Sequence, residues 1–212
     1  MKLHRHYKNK AYRVLGTAKN SESLEDFTIY EARYTNPLGQ IWIRPTTMFN
    51  GEVEIDGSRQ RRFAPVELQI ESLVEAPLSQ LQGITPLVKE IFPDLGPNWY
   101  APQDSRDRRY TLHVAHVEGE LVGFKLGYDQ PDGCHYSWLG GVKQDYRGLG
   151  IAAELLKAQV ESCRKLGHTK LQTKTLNRFL PMLLLNLKAG FRITGTEASK
   201  RGLKICLELP LQ

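Results

Sequence analysis

The chain has 212 residues, 41% hydrophobic and 25% charged, a globular balance with room for two small domains. No apolar run reaches the length of a membrane span and the polar, basic start lacks a signal-peptide core, so a cytoplasmic protein without a membrane partner is expected. Cys134, Cys163 and Cys206 are odd in number, far apart and in no CxxC pair, which argues for a reducing compartment and against a disulfide framework or a zinc site, so no metal is expected; the net charge of +6 suits an anionic ligand but is too small to argue for nucleic acid.

Residues 1–65 hold 11 Lys/Arg against 7 Asp/Glu, and residues 66–212 hold 18 against 16. The first part reads as short strands: Tyr12–Leu15, Phe27–Tyr30, Ile41–Ile43, and Val53 with Ile55 before the hairpin turn Asp56-Gly57. These predict a small all-β, barrel-like module. Tyr7, Tyr12, Tyr30, Tyr34 and Trp42 read mainly as core or half-buried strand residues, with an aromatic binding surface as the sharper alternative. Arg59 to Arg62 read as a solvated hairpin end. His4 and His6 share a strand face but have no further ligands, so no metal is expected. His6-Tyr7-Lys8, Tyr12-Arg13-Val14-Leu15-Gly16, Ser21–Glu25, Trp42-Ile43-Arg44-Pro45, Met48-Phe49 and Asp56-Gly57 resemble a small bacterial domain family of unknown function, over residues 4–63.

Phe63-Ala64-Pro65 reads as a join. Val66, Leu68 and Ile70 then alternate with polar residues as in a strand. Leu81, Ile84, Leu87, Val88 and Ile91 predict one amphipathic helix from Pro77 to near Phe92. Pro93–Arg109 reads as a surface loop that can border an acceptor site. Tyr110–Val117, Leu121–Tyr128 and Tyr136–Val142 read as a three-strand meander. His113 and His116 stand at i and i+3, which on a strand face opposite ways, so they are rejected as metal co-ligands.

The next stretch is Val142-Lys143-Gln144-Asp145-Tyr146-Arg147-Gly148-Leu149-Gly150-Ile151-Ala152. It joins a strand to a helix whose face carries Ala152, Leu156, Val160 and Cys163. A helix start offers unpaired N–H groups and a positive dipole end, and glycines let a ligand approach the backbone. The glycines admit two readings: a phosphate seat, or a tight turn with no ligand. Beyond it, Gly167 is a C′ residue and Thr169–Thr175 alternates as a strand. Asn177 can cap a helix with Pro181 in its first turn, and Met182–Leu185 imply that this helix is buried. Two closing strands run from Phe191 to Thr194 and from Leu203 to Leu209.

Arg147-Gly148-Leu149-Gly150-Ile151-Ala152, after a strand ending in Val142, resembles the acetyl-coenzyme A signature of the GNAT family of N-acetyltransferases. The strand and helix order from residue 66 and the Gly190-Phe191 tail extend that resemblance over residues 66–209. Gly148–Ala153 also fits a dinucleotide fingerprint, but that needs a tight strand-to-helix turn, βαβ units and an acidic residue on the next strand. None of these is present, and no P-loop motif occurs.

The resemblance implies a mixed α/β fold, a GNAT-like central sheet flanked by helices over 66–212, separate from the β module over 1–65. It implies acetyl-coenzyme A as cosubstrate, with Arg147, Gly148, Leu149, Gly150 and Ala152 around its pyrophosphate and Lys143 or Arg178 near a phosphate. Gly140 and Val142 would lie beside the pantetheine, and Asn177 and Asn186 in the second cofactor-contacting region. The acceptor would be an amine, on a small molecule or as a protein N-terminus or lysine, and a homodimer is compatible with the family. In some relatives a carboxylate base stands where this chain has Tyr136, beside His135. Many members carry a Tyr acid where this chain has Asn186. His135 and Tyr136 are thus the catalytic candidates, His135 with the plainer reading of a turn-edge residue, and Cys134 reads as a passive thiol. The expected function is N-acetyl transfer to an amine by direct attack. The alternative is a non-catalytic acyl-coenzyme A sensor with an N-terminal interaction module.

Overall fold

The computed structural model describes residues 3–96, 99, 109–200 and 202–211, with Leu78 by its backbone alone. The chain forms two compact units, Met1–Leu68 with Gly148–Gly150, and Gln69–Arg147 with Ile151–Gln212.

The N-terminal part contains β1 (Leu3–His6), β2 (Lys10–Lys19), β3 (Asp26–Ala32), β4 (Ile41–Pro45), α1 (Thr46–Asn50), β5 (Glu52–Ile55), β6 (Ser58–Arg61) and β7 (Phe63–Pro65). Five strands form one sheet in the order β4-β3-β2-β1-β7, and β5 pairs with β6. The sheet is open, with β4 and β7 at its edges, so the barrel expectation is corrected: among the described residues no strand pair closes it. Phe63-Ala64-Pro65, read as the join, is an edge strand antiparallel to β1. Asp56 and Gly57 both take positive φ, 51° and 77°. That pair of angles defines the two-residue turn that suits the strand twist. The core is aromatic. Tyr30, Phe49 and Phe63 are buried, with Tyr12, Val14 and Trp42 packed around them. Phe49 stacks on Phe63 at 4.1 Å and 8°. α1, missed in the sequence because five residues show no periodicity, delivers Phe49 to that stack.

The larger part continues with β8 (Leu68–Val74), α2 (Leu78–Gly83), α3 (Thr85–Ile91), β9 (Tyr110–Val117), β10 (Glu120–Gln130), β11 (Cys134–Val142), α4 (Ile151–Lys165), β12 (Lys170–Leu176), α5 (Leu180–Lys188), β13 (Arg192–Glu197) and β14 (Lys204–Pro210). The sheet order is β13-β14-β12-β11-β10-β9-β8. From β13 across to β9 the ladder is antiparallel except where β11 runs parallel to β12. The single helix expected from Pro77 to Phe92 is two. Ile84 sits between them at φ −89° and ψ 2°, and α3 has a proline in its first turn. Pro86 has no N–H and its ring clashes with the carbonyl of Gln82, so one continuous helix cannot form.

One face of the sheet is apolar. Leu81, Ile84, Leu87 and Val88 pack on Tyr110, Leu112, Val114, Phe124 and Leu126. A second cluster joins α4 and α5 to β12 and β14 through Leu156, Val160, Leu171, Leu183, Phe191, Ile205 and Leu207. α5 is less covered than its run of leucines implies: Leu183 is buried, but Leu180, Leu184 and Leu187 are exposed. Asn177 does not cap α5. It opens a 3-10 turn, Asn177–Phe179, and Phe179 occupies the cap position without a side-chain hydrogen bond. Among the described residues no helix is long and apolar enough to cross a membrane.

The part of the sheet beneath α4 is polar. Thr111, His113, Lys125, His135 and Ser137 are all buried, as is Gln159 of α4. Gly127 makes room for them: a Cβ there would meet His135 Nε2 at 2.3 Å and Gln159 Nε2 at 2.7 Å. Neither amide atom of Gln159 has a hydrogen-bond partner among the described residues. Burial lowers Lys125 from 10.5 to about 8. Burial, and then the charges of Lys125 and His135, lowers His113 to about 4. Both shifts disfavour the charged form in the folded chain. Between about pH 8 and 10.5 the unfolded chain keeps the Lys125 proton and the folded chain does not, so stability rises with pH there. His113 acts similarly lower down, so stability falls as pH drops from 6.5 toward 4.

Urea unfolding of the full chain should give two outcomes. Phe49→Ala loses about 3–5 kcal/mol, as expected for a buried aromatic in a small core, and a loss under about 1 kcal/mol would contradict the stack's role. Lys125→Met gains about 1–3 kcal/mol at pH 7, by removing a buried charge, and flattens the stability rise above pH 8. A destabilised variant with the rise intact would refute that account.

Candidate functional site

The site begins where β11 leaves its neighbour. Only Cys134, His135 and Tyr136 of β11 pair with β12, opposite Lys170, Leu171 and Gln172. Thr173 Oγ1 then donates to the Ser137 carbonyl at 2.9 Å, a last tie between the strands. From Trp138 to Val142 no strand pairs with β11 on that side among the described residues. On its other side β11 stays paired to β10 as far as Val142, opposite Gly123. Leu126 pairs with Leu139 and Gly127 with Ser137, so Trp138 is an extra residue, a bulge. A bulge bends its strand and re-aims the following side chains. The open edge and the bulge therefore fall at the same place. An unpaired strand edge presents backbone N–H and C=O groups to whatever enters beside it.

β11 then feeds the glycine loop. Lys143 N–H donates to the Val122 carbonyl at 2.9 Å, and a 3-10 turn runs from Gln144 to Tyr146. Glu120 fixes this turn. It accepts from Lys143 Nζ at 2.9 Å and from Tyr146 Oη at 2.7 Å. These two hydrogen bonds lower the Glu120 carboxyl from its usual value. Lys143 also lies 3.3 Å from Glu90 Oε2. It is therefore held by two carboxylates rather than free for a phosphate, and the Glu120 bond raises its pKa. Arg147 Nε donates to the Val142 carbonyl at 3.1 Å, drawing the loop back onto the strand end. Gly148 and Gly150 come next at φ +76° and +90°. An L side chain at such angles is strained, and at Gly150 a Cβ would meet nothing within 4 Å, so there the demand is the backbone's alone. Leu149 between them is buried. α4 starts at Ile151, and Ala152 lies in its first turn. The first N–H groups of a helix have no intrahelical acceptor and carry the positive end of its dipole.

The remaining expected residues separate. His135 and Tyr136 are adjacent, so their side chains lie on opposite faces of the sheet. His135 is fully buried beneath α4, with Nδ1 2.8 Å from Asp129 Oδ1 and Nε2 2.9 Å from Thr111 Oγ1. Burial lowers its pKa, opposed by Asp129. Tyr136 is half-buried, 5.3 Å from the ring of Tyr128, and burial raises its phenol to about 12. Gly140 pairs with Lys125 on the open stretch of β11. Asn177 is exposed, and Arg178 stacks its guanidinium on Phe179 at 5.1 Å. Asn186 is buried on α5, and its Oδ1 has no hydrogen-bond partner among the described residues. Burial raises the Cys134 thiol above its usual value, which keeps it protonated. Of the Pro93–Arg109 segment, residues 97, 98 and 100–108 lie outside the described residues, so its expected place beside the acceptor does too. Sequence reasoning missed Glu120 and the Ser137–Thr173 tie. Neither has a local signal, because each depends on strands distant in sequence.

Comparison with known proteins bears on this arrangement. The model described as the acetyltransferase (GNAT) family matches residues 81–190, and the model described as a protein of unknown function (DUF1653) matches residues 2–65. No curated protein matches the chain. Among solved structures, the IAA acetyltransferase from Bacillus cereus ATCC 14579 superposes with a TM-score of 0.55 at 21% identity, over 68% of this chain and all of that one. The ribosomal-protein-S18-alanine N-acetyltransferase from Escherichia coli gives 0.57 at 15% identity, over 69% of this chain and 95% of that one. A GNAT family acetyltransferase from Elizabethkingia anophelis with acetyl-CoA bound gives 0.55 at 19% identity, over 68% and 98%. At these identities the structures speak for the fold. The family match spans more than half of the chain and contains both the open edge of β11 and the glycine loop, and by it the chain belongs to the GNAT acetyltransferase family.

Proposed function

We propose that the chain takes acetyl-coenzyme A as cosubstrate and transfers its acetyl group to an amine by direct attack. The observation that carries the reading is the coincidence of an open strand edge with a glycine loop on the same strand, β11. Support also comes from the Elizabethkingia anophelis relative, which holds acetyl-CoA.

The residues present fit such a ligand. The backbone from Arg147 to Ala152 carries two left-handed glycines and the start of a 15-residue helix, which together suit a pyrophosphate. The unpaired edge of β11 from Trp138 to Val142 supplies backbone groups to an extended amide-bearing arm. A backbone N–H on that edge would stabilise the charge that develops on the thioester carbonyl oxygen. Bound there, acetyl-coenzyme A supplies an activated acyl group and a thiolate that leaves without needing an acid. The last point matters because Asn186, where many relatives have a tyrosine, cannot give up a proton. Its Oδ1, without a partner among the described residues, can only accept hydrogen bonds.

No side chain near the open edge, among the described residues, is suited to accept the amine's proton at neutral pH. Tyr136 stays a neutral phenol, His135 is closed under α4, and Glu208 already accepts from Gln172 Nε2 at 2.8 Å. Glu197 is held by Lys174 and Lys204. Cys134 is buried and protonated, which argues against an acyl-cysteine route. The acceptor therefore reacts as the free amine, with solvent taking its proton. A lysine-like amine has only a small neutral fraction at pH 7, uphill by roughly 4–5 kcal/mol.

Acetyl-coenzyme A should raise the thermal midpoint of the wild-type chain by several degrees, and an unmoved midpoint at millimolar ligand would reject the reading. Gly150→Ala, which strains the loop by about 1–2 kcal/mol, should weaken that binding roughly 5- to 30-fold with the fold intact. On an amine panel with thiol release as readout, kcat/KM should climb about tenfold per pH unit between pH 7 and 9. A plateau already at pH 7 would reveal a protein base, and binding without thiol release would favour the sensor reading.

A further inference from the structure

Three ligand-type side chains converge at the end of β11 opposite to the glycine loop. Asp129 lies near the end of β10, His135 near the start of β11, and His168 just after α4. Their ligand atoms all lie within 4.8 Å of one another. Asp129 Oδ1 is 2.8 Å from His135 Nδ1 and 3.0 Å from His168 Nε2. The side chain of His135 is fully buried, that of His168 is 11% exposed and that of Asp129 26%, so the cluster is closed on the inside and reachable from the surface.

We propose that Asp129, His135 and His168 form a site for a divalent transition-metal ion of the zinc class, held by two imidazole nitrogens and one carboxylate oxygen.

The donor set comes first. Two imidazoles and a carboxylate suit zinc, cobalt or nickel rather than calcium or magnesium. The spacing is close to what such an ion needs. Ligands at about 2.0–2.1 Å around a tetrahedral ion stand about 3.3 Å apart. The two measured separations need to open by only a few tenths of an ångström, and the third lies within reach.

The orientation of His168 is the second observation. Its Nε2 is 3.0 Å from Asp129 Oδ1, yet it makes no hydrogen bond among the described residues. The distance suffices, so the direction does not. A ring nitrogen beside a carboxylate oxygen but off the line to it is left open to a further partner, which an ion would supply. Without an ion the same arrangement leaves a buried nitrogen unsatisfied, which is destabilising.

His135 supplies the third. Its other nitrogen, Nε2, is 2.9 Å from the hydroxyl of buried Thr111. A metal-ligating histidine almost always donates its remaining N–H to an acceptor, which fixes the tautomer. Without an ion, Nδ1–H donates to Asp129 Oδ1 at 2.8 Å; with the proton on Nε2 and donated to Thr111, the Nδ1 lone pair is left for the ion. The second oxygen of Asp129, 3.8 Å from Arg109 Nε, is directed elsewhere, so Oδ1 remains the ligand atom.

The location assigns a structural role. His135 and Val142 are seven residues apart on β11, about 23 Å at strand rise. The ion would pin the β10–β11 turn to the α4–β12 connection. Those segments already touch through Thr169 N–H donating to the Gly133 carbonyl at 2.9 Å. The proposal is independent of the acetyl transfer reading.

The test uses the full chain, stripped with a chelator and titrated with Co²⁺. The expected result is one equivalent bound, with the intense visible bands of a low-coordinate cobalt site, displaced by Zn²⁺, and a higher thermal midpoint in the loaded protein. Asp129→Asn and His168→Gln should each weaken Co²⁺ at least tenfold, and Thr111→Val about tenfold through loss of the His135 acceptor. Wild-type protein without bands at saturating Co²⁺ overturns the site. So does unchanged Co²⁺ affinity in Asp129→Asn with its circular dichroism intact. If both ligand variants misfold, the wild-type titration alone decides.

Discussion

The larger part of the chain is organised by an incomplete strand pairing. β11 is bonded along its whole length to β10, but to β12 over only three residues. A parallel pair would ordinarily continue until one strand ends. Here the Thr173 hydroxyl takes over the Ser137 carbonyl, and the bulge at Trp138 bends β11 at the same point. The strands then have different neighbours: β12 stays with β14, β11 with β10. The unpaired backbone between them is a liability in most sheets. On the proposed reading, that same edge is what an extended, amide-bearing ligand would pair with.

The end of β11 also constrains the loop and helix beyond it. Glu120 starts β10, directly after a turn built on Glu118 and Gly119, both at positive φ. From there it reaches Lys143 and Tyr146 and fixes the exit of β11. Arg147 binds the last carbonyl of the same strand. The two left-handed glycines then turn the chain into α4. A charge network, a guanidinium and two backbone angles thus set where the helix begins, before any ligand arrives.

Much of this is legible in the sequence, and the limits have physical causes. The bounds of β9, Tyr110–Val117, match those read for the first strand of the meander, and the glycines mark the start of α4. Apart from α1 and the break between α2 and α3, the succession of strands and helices is readable from periodicity and turn residues. The features that escape are non-local or too short. The N-terminal sheet stays open because closure depends on β4 and β7 pairing, which no local pattern encodes. α1 has only five residues. Asn177 loses the cap position because a 3-10 turn intervenes before α5. For the site, the loop reveals which residues suit a ligand, but not the fate of each side chain. His135 reads as a residue at the edge of a turn and is sealed by α4. Lys143 reads as a phosphate partner and is held by Glu90 and Glu120. His168, far along the chain from His135, gives no sign of meeting it.

The polar layer beneath α4 has a further consequence. A helix laid on hydrocarbon is held by area, and sliding or lifting it exposes apolar surface. α4 instead rests in part on Lys125, His135, Ser137 and its own Gln159, whose amide atoms find no partner among the described residues. Water entering that seam satisfies groups rather than wetting apolar ones. The seam therefore opens more cheaply than an all-apolar one would, and the amides of α4 should exchange before those of the strands it covers.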